Sequence, residues 1–129
     1  MTRRLLTVML AGASLVAGAQ AFAHHSFAAT YFEGQKITIE GEVALFQYRN
    51  PHSFLYVMVK DEQGKAQRWA IEWGGSGQLR NQNVAIDTVK PGDRVVVTGD
   101  PSRTPGEFRL RMRTINRPSD GWKWGDDID

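Results

Sequence analysis

Alternation of apolar and polar positions begins at Ile37 and recurs in five stretches, the signature of half-buried strands. In the first, Ile37, Ile39, Gly41, Val43 and Leu45 fall on one face, with Thr38, Glu40, Glu42 and Ala44 on the other. A glycine inside such a run predicts a bend or bulge, which is how a small barrel curls its first strand. Phe46 to His52 is the next connection, and Asn50-Pro51-His52 is its turn signal, because proline fixes φ and has no N–H to donate. Ser53 to Lys60 reads as the second strand, with Leu55, Val57 and Val59 alternating with Phe54, Tyr56 and Met58. Both of its faces are apolar, so the outer one is either covered or a contact surface. A polar hairpin loop, Asp61-Glu62-Gln63-Gly64-Lys65, leads to a third strand from Ala66 to Trp73 with Trp69, Ile71 and Trp73 on one face.

Gly74-Gly75-Ser76-Gly77 breaks the pattern, and Ser76 is placed to cap a short helix through about Asn83 with Leu79 as its apolar contact. Lys90-Pro91-Gly92-Asp93 is a turn, and Arg94 to Thr98 is a valine-rich fourth strand. In the fifth, Phe108, Leu110 and Met112 are expected inward and Arg109, Arg111 and Arg113 outward. Three strands, a short helix and two strands predict an all-β fold: a small, five-stranded OB-like Greek-key barrel with one helix between strands 3 and 4. A plain β-sandwich would need about seven strands.

Ahead of the barrel, residues 1–23 carry an export pattern. Arg3 and Arg4 are followed by an apolar run from Leu5 to Ala17 and by Ala21-Phe22-Ala23 as a small-residue cleavage site. The run is shorter than the ~20 apolar residues of a membrane span, so cleavage is expected to leave no span. The expected organisation is signal peptide 1–23, N-terminal arm 24–36, barrel 37–117 and tail 118–129, in the periplasm or secreted. Losing Arg3 and Arg4 reduces 16 basic residues to 14 against 14 acidic ones, so the apparent basicity is an export feature and argues little for nucleic acid. There are no cysteines, so the fold is expected to stand without disulfides.

His24-His25-Ser26-Phe27, Asn50-Pro51-His52 leading into a strand, Trp69-x-Ile71-Glu72, the Gly-Ser helix turn and Lys90-Pro91-Gly92-Asp93 together resemble a family of small exported bacterial proteins, domain of unknown function family 6152. The resemblance spans the mature chain. Its most specific marks are the His-His-Ser-Phe start and the Asn-Pro-His turn, and it implies fold and export, with no activity to carry over.

Cleavage after Ala23 would put a free amine on His24, next to His25. His24 could then chelate a metal through amine and ring, with a third nitrogen from His52 or His25. Nitrogen ligands in planar geometry suit Cu(II), so copper is the expected cofactor if there is one. The plainer alternative is a solvated arm and a histidine that hydrogen-bonds its own loop. A metal-free alternative uses Phe54, Tyr56 and Trp69 as a face for a small molecule or envelope protein. Arg109, Arg111 and Arg113 could join that face, although strand arginines more often pair with carboxylates such as Glu72 or Glu40. The arm or the tail, with Trp122 and Trp124, could instead cover Phe54 and Tyr56. Tyr31, Glu33, Glu72 and His52 are candidates to share a cleft, but spacing alone does not bring them together. With no nucleophile triad, P-loop or dinucleotide fingerprint, a binding module is favoured over an enzyme, and neither nucleic acid nor an oligomeric state is indicated.

Overall fold

The computed structural model describes residues 26–126. Residues 26–30 form a helical turn in which the Thr30 hydroxyl donates to the Ser26 carbonyl at 3.1 Å. The unit that follows begins at Tyr31. Its elements are β1 (Ile37–Gln47), β2 (Ser53–Lys60), β3 (Ala66–Trp73), α1 (Ser76–Asn81), β4 (Arg94–Pro101), β5 (Arg109–Arg117) and β6 (Trp122–Trp124).

β1, β2 and β3 make an antiparallel meander, β4 pairs with the other edge of β1, and β5 pairs with β4. Parallel pairing of β3 with β5, over Ala70↔Arg109, Ile71↔Leu110 and Glu72↔Arg111, closes the ring. The result is the expected five-stranded barrel with its helix between β3 and β4. β2 and β3 keep the limits read from the sequence. Their register is set by the hairpin, where the Asp61 carboxylate accepts the N–H groups of Gln63 at 3.0 Å and Lys65 at 2.8 Å. Gly64 supplies the positive φ of that turn. Leu55, Val57, Ile71, Val95, Val97 and Leu110 fill the barrel, and Leu79 of α1 joins Val84 and Val89 in the same core.

The phase of β1 differs from expectation. Val43 pairs with Val57 but Leu45 pairs with Tyr56, so Ala44 is an extra residue. Side chains alternate with a period of two, so one inserted residue sends every later side chain to the other face. Leu45 is therefore outward and 40% exposed, while Phe46 turns in, 5.6 Å from the ring of Trp73. Gly41 serves a different purpose, close approach: a Cβ there would fall on the Met58 carbonyl oxygen.

Phe108 precedes β5 and is 42% exposed instead of inward, lying edge-on to Trp69 at 5.3 Å. A second irregularity, Thr98↔Thr114 followed by Gly99↔Met112, makes Arg113 the extra residue in β5 and lets β4 run on to Pro101. Ser76 is the first helical residue and not the cap. Gly75 holds the cap position with no side chain to offer, and the cap comes from the Asn-Pro turn. There the Asn50 side-chain oxygen accepts from the Gly77 N–H at 3.3 Å, and the Arg49 carbonyl accepts from Ser76 at 2.9 Å.

The tail is part of the sheet. β6 pairs with β5, Trp124 meets Trp73 edge-to-face at 5.0 Å, and its indole N–H donates to Gln82 at 3.3 Å. Arg117 ties the turn before β6 through Asp120, Asp93 and the Thr88 carbonyl.

Candidate binding face

Because β2 is inward at Leu55 and Val57, it presents Phe54 and Tyr56 outward, half-buried on the barrel wall. Their rings are 6.4 Å apart and inclined by 27°. The guanidinium groups of Arg49 and Arg109 each lie 5.5 Å from the centre of the Phe54 ring, and that of Arg68 lies 4.2 Å from the centre of Tyr56. These are cation–π distances, at which the negative ring face attracts the cation. The Tyr56 hydroxyl donates to Gln47 at 3.3 Å.

Arg109 joins this face to a deeper cluster. Its Nε donates to the Tyr31 hydroxyl at 2.7 Å and its Nη2 to Glu72 at 3.1 Å. His52 Nδ1 lies 4.0 Å from the same Glu72 oxygen, within ion-pair range if protonated but too long for a hydrogen bond. Three of the four residues considered for a shared cleft, Tyr31, Glu72 and His52, are thus brought together around Arg109. Glu33 is drawn instead to Arg111, at 2.9 Å. Tyr31 is fully buried, bridged to Ser102, and its carbonyl accepts from Arg103 at 3.1 Å. Burial pushes its phenol above the ordinary tyrosine range and the Glu72 charge adds to this, partly offset by Arg109.

The arginine stripe is occupied by carboxylates. Arg109 takes Glu72 as expected, Arg111 takes Glu33, and Arg113 takes Asp100 at 2.6 Å. Glu40 pairs elsewhere, with Arg94 at 3.0 Å. Asp100 is fully buried and also accepts the Gly34 N–H at 3.2 Å, so the Arg113 contact is more than a solvated surface pair. Trp69 does not share the face of Phe54 and Tyr56. It pairs across from Val57, packs against the core and meets Phe108.

Two residues that sequence reasoning passed over, Arg49 and Arg68, are the exposed cations of the face. Arg68 is the diagonal neighbour of Tyr56, which itself pairs with Ala70. Fixing the hairpin register and applying the diagonal rule would have found it. His24 and His25 lie outside the described residues. Among the described residues, no group of three or more His, Asp or Glu side chains is set to hold a metal ion.

Solved structures that share the fold include two crystal forms of the mitochondrial single-stranded DNA binding protein Rim1 from S. cerevisiae. Form 2 is 18% identical with a TM-score of 0.50, covering 67% of this chain and 95% of that one. Form 1 is also 18% identical at a TM-score of 0.50, covering 64% and 91%. This likeness shows an OB-like barrel and nothing further. No curated protein matches the sequence. A family model described as a family of unknown function matches residues 13–109, through the barrel to the start of β5, and by that match the chain belongs to the DUF6152 family.

Proposed function

We propose that this chain is an exported, periplasmic barrel that acts as a binding module, taking a small molecule or an envelope protein on the outer face of β2 and β3. The observation that carries the reading is the row of Phe54 and Tyr56, half-buried on the outer wall and overlaid by the guanidinium groups of exposed arginines. Aromatic rings with arginine are the composition of interface hot spots, since both bring large contact area in few conformations. The charge pattern of residues 1–23 supports export, and among the described residues no helix is long and apolar enough to cross a membrane. The Rim1 structures are named for single-stranded DNA binding, but 14 basic residues against 14 acidic ones after signal removal favour a partner other than nucleic acid.

The test is amide NMR with a panel of small aromatic and polar fragments on the mature protein. Shifts should cluster on residues 47–56 and 66–72, and should vanish in Phe54→Ala/Tyr56→Ala while the spectrum stays folded. Shifts scattered over the barrel, or none, refute the reading. Mass spectrometry of the periplasmic protein should find His24 as its first residue.

A second reading has its own support. His52 is half-exposed beside the Glu72 carboxylate, and a carboxylate next to an imidazole is the usual outer partner of a metal-bound histidine. Tyr31 is tied through Arg109 to that same carboxylate, which lies beside His52. On this reading copper binds the His24 amine and ring, with His52 or His25 as the third nitrogen. Cu(II) affinity of the mature chain should fall sharply when the His24 amine is acetylated, and an unchanged affinity refutes it.

A further inference from the structure

We infer that the ligand of the β2–β3 face is an acidic chain, carrying phosphate or carboxylate groups at intervals, and that Arg49 and Arg68 take it. The inference rests on that face being the binding surface. What points to it is a division among the arginines. Arg109, Arg111 and Arg113, the conspicuous stripe, each have a carboxylate of this chain within 3.1 Å. Arg49 and Arg68 are both exposed, and among the described residues neither has a carboxylate within ion-pair distance. Arg68 faces Met58 across the hairpin, and Arg49 donates its Nε to the His52 carbonyl.

Both are nevertheless held in place. A guanidinium laid on a ring is oriented by the ring, and its outward N–H edge matches the paired oxygens of a carboxylate or phosphate. Little side-chain freedom is then left to lose on binding. Each group sits on its own ring and the rings are 6.4 Å apart, so the two make successive oxyanion sockets along β2. Repeated charges on one flexible chain match that spacing better than a single small anion. Nearby, Glu72 is already shared between Arg109 and the approach of His52, which leaves the face net positive. A base stacking on Phe54 or Tyr56 would first have to displace these guanidiniums, which favours oxyanion capture over nucleobase stacking.

The experiment is an amide NMR titration of the mature protein with a short linear polyphosphate, with an oligogalacturonate, and with neutral indole as a comparison. One or both acidic probes should shift residues 49–56 and 66–72 saturably; the arm that binds says whether phosphate or carboxylate is the group taken. Arg49→Gln and Arg68→Gln should each weaken binding about tenfold, as for loss of a charge-assisted hydrogen bond. Lys123→Gln, an exposed cation of β6, should leave it unchanged. Equal loss in Lys123→Gln, or none in the arginine variants, overturns the inference. If indole shifts this face and neither acidic probe does, the acidic ligand is wrong and the binding face stands. If no probe shifts it, both fall.

Discussion

Arg113→Met and Arg111→Met differ by two positions on one strand, yet they should differ several-fold in cost. Arg113 faces Asp100, whose side chain is 0% exposed while that of Arg113 is 37% exposed. Methionine keeps much of the apolar stem, so the change removes the charge and the bonds at 2.6 and 2.7 Å more than it removes packing. It leaves a buried carboxylate whose remaining donor among the described residues is the Gly34 N–H. Breaking a buried pair in this one-sided way costs about 3–5 kcal/mol, and the water that reaches Arg113 brings the expectation down to about 2–3 kcal/mol. The Arg111–Glu33 pair is partly exposed on both sides, at 24% and 30%, and its loss should cost no more than about 1 kcal/mol. Urea denaturation reads both, with the midpoint moving and the slope unchanged. For a domain of this size the Arg113 variant should also melt roughly 8–20 °C lower. The reasoning is refuted if the two variants fall within about 0.5 kcal/mol of each other.

Gly41→Ala should destabilise the barrel by about 2 kcal/mol or more in the same assay, because the added methyl falls first on the Met58 backbone, which cannot swing aside as a flexible side chain would. Trp124→Ala should cost about 2–3 kcal/mol, the worth of a partly buried indole at roughly 25 cal/mol per Å² plus its edge contact with Trp73; no change would mean that the tail is only lying on the surface. Tyr31 has a folded pKa raised above its unfolded value of ~10, so its contribution is present in full below that pH and is lost as pH rises beyond it. Wild-type stability should therefore drop on alkaline titration, and Tyr31→Phe should flatten that drop while losing some stability at neutral pH.

Much of the barrel was legible because alternation reports faces directly. Ser53–Lys60 and Ala66–Trp73 have the limits that their patterns indicate, and the polar hairpin between them holds its register. Leu45 was misplaced because Ala44 becomes a bulge only opposite a partner strand, and nothing local distinguishes it from its neighbours. Gly41, the residue that looked irregular, marks a close backbone approach instead. The helix cap was hidden for the same reason: Asn50 reaches Gly77 from 27 positions away. On the candidate face, Phe54 and Tyr56 were evident from one strand, whereas the choice among arginines needed the carboxylates of other elements. Asp100 and Glu33 spoke for two of the three stripe arginines, and only the folded chain shows it.

Closure of the ring between β3 and β5 over three residue pairs has a bearing on how the barrel breathes. A join with so few rungs is where partial opening begins, well below the free energy of global unfolding. Arg109 stands at that join, bonded to Glu72 across it and resting on Phe54 of the next strand. A ligand gripping the aromatic wall would therefore also latch the hoop, and slowed deuterium uptake at Ala70 to Glu72 would report its occupancy.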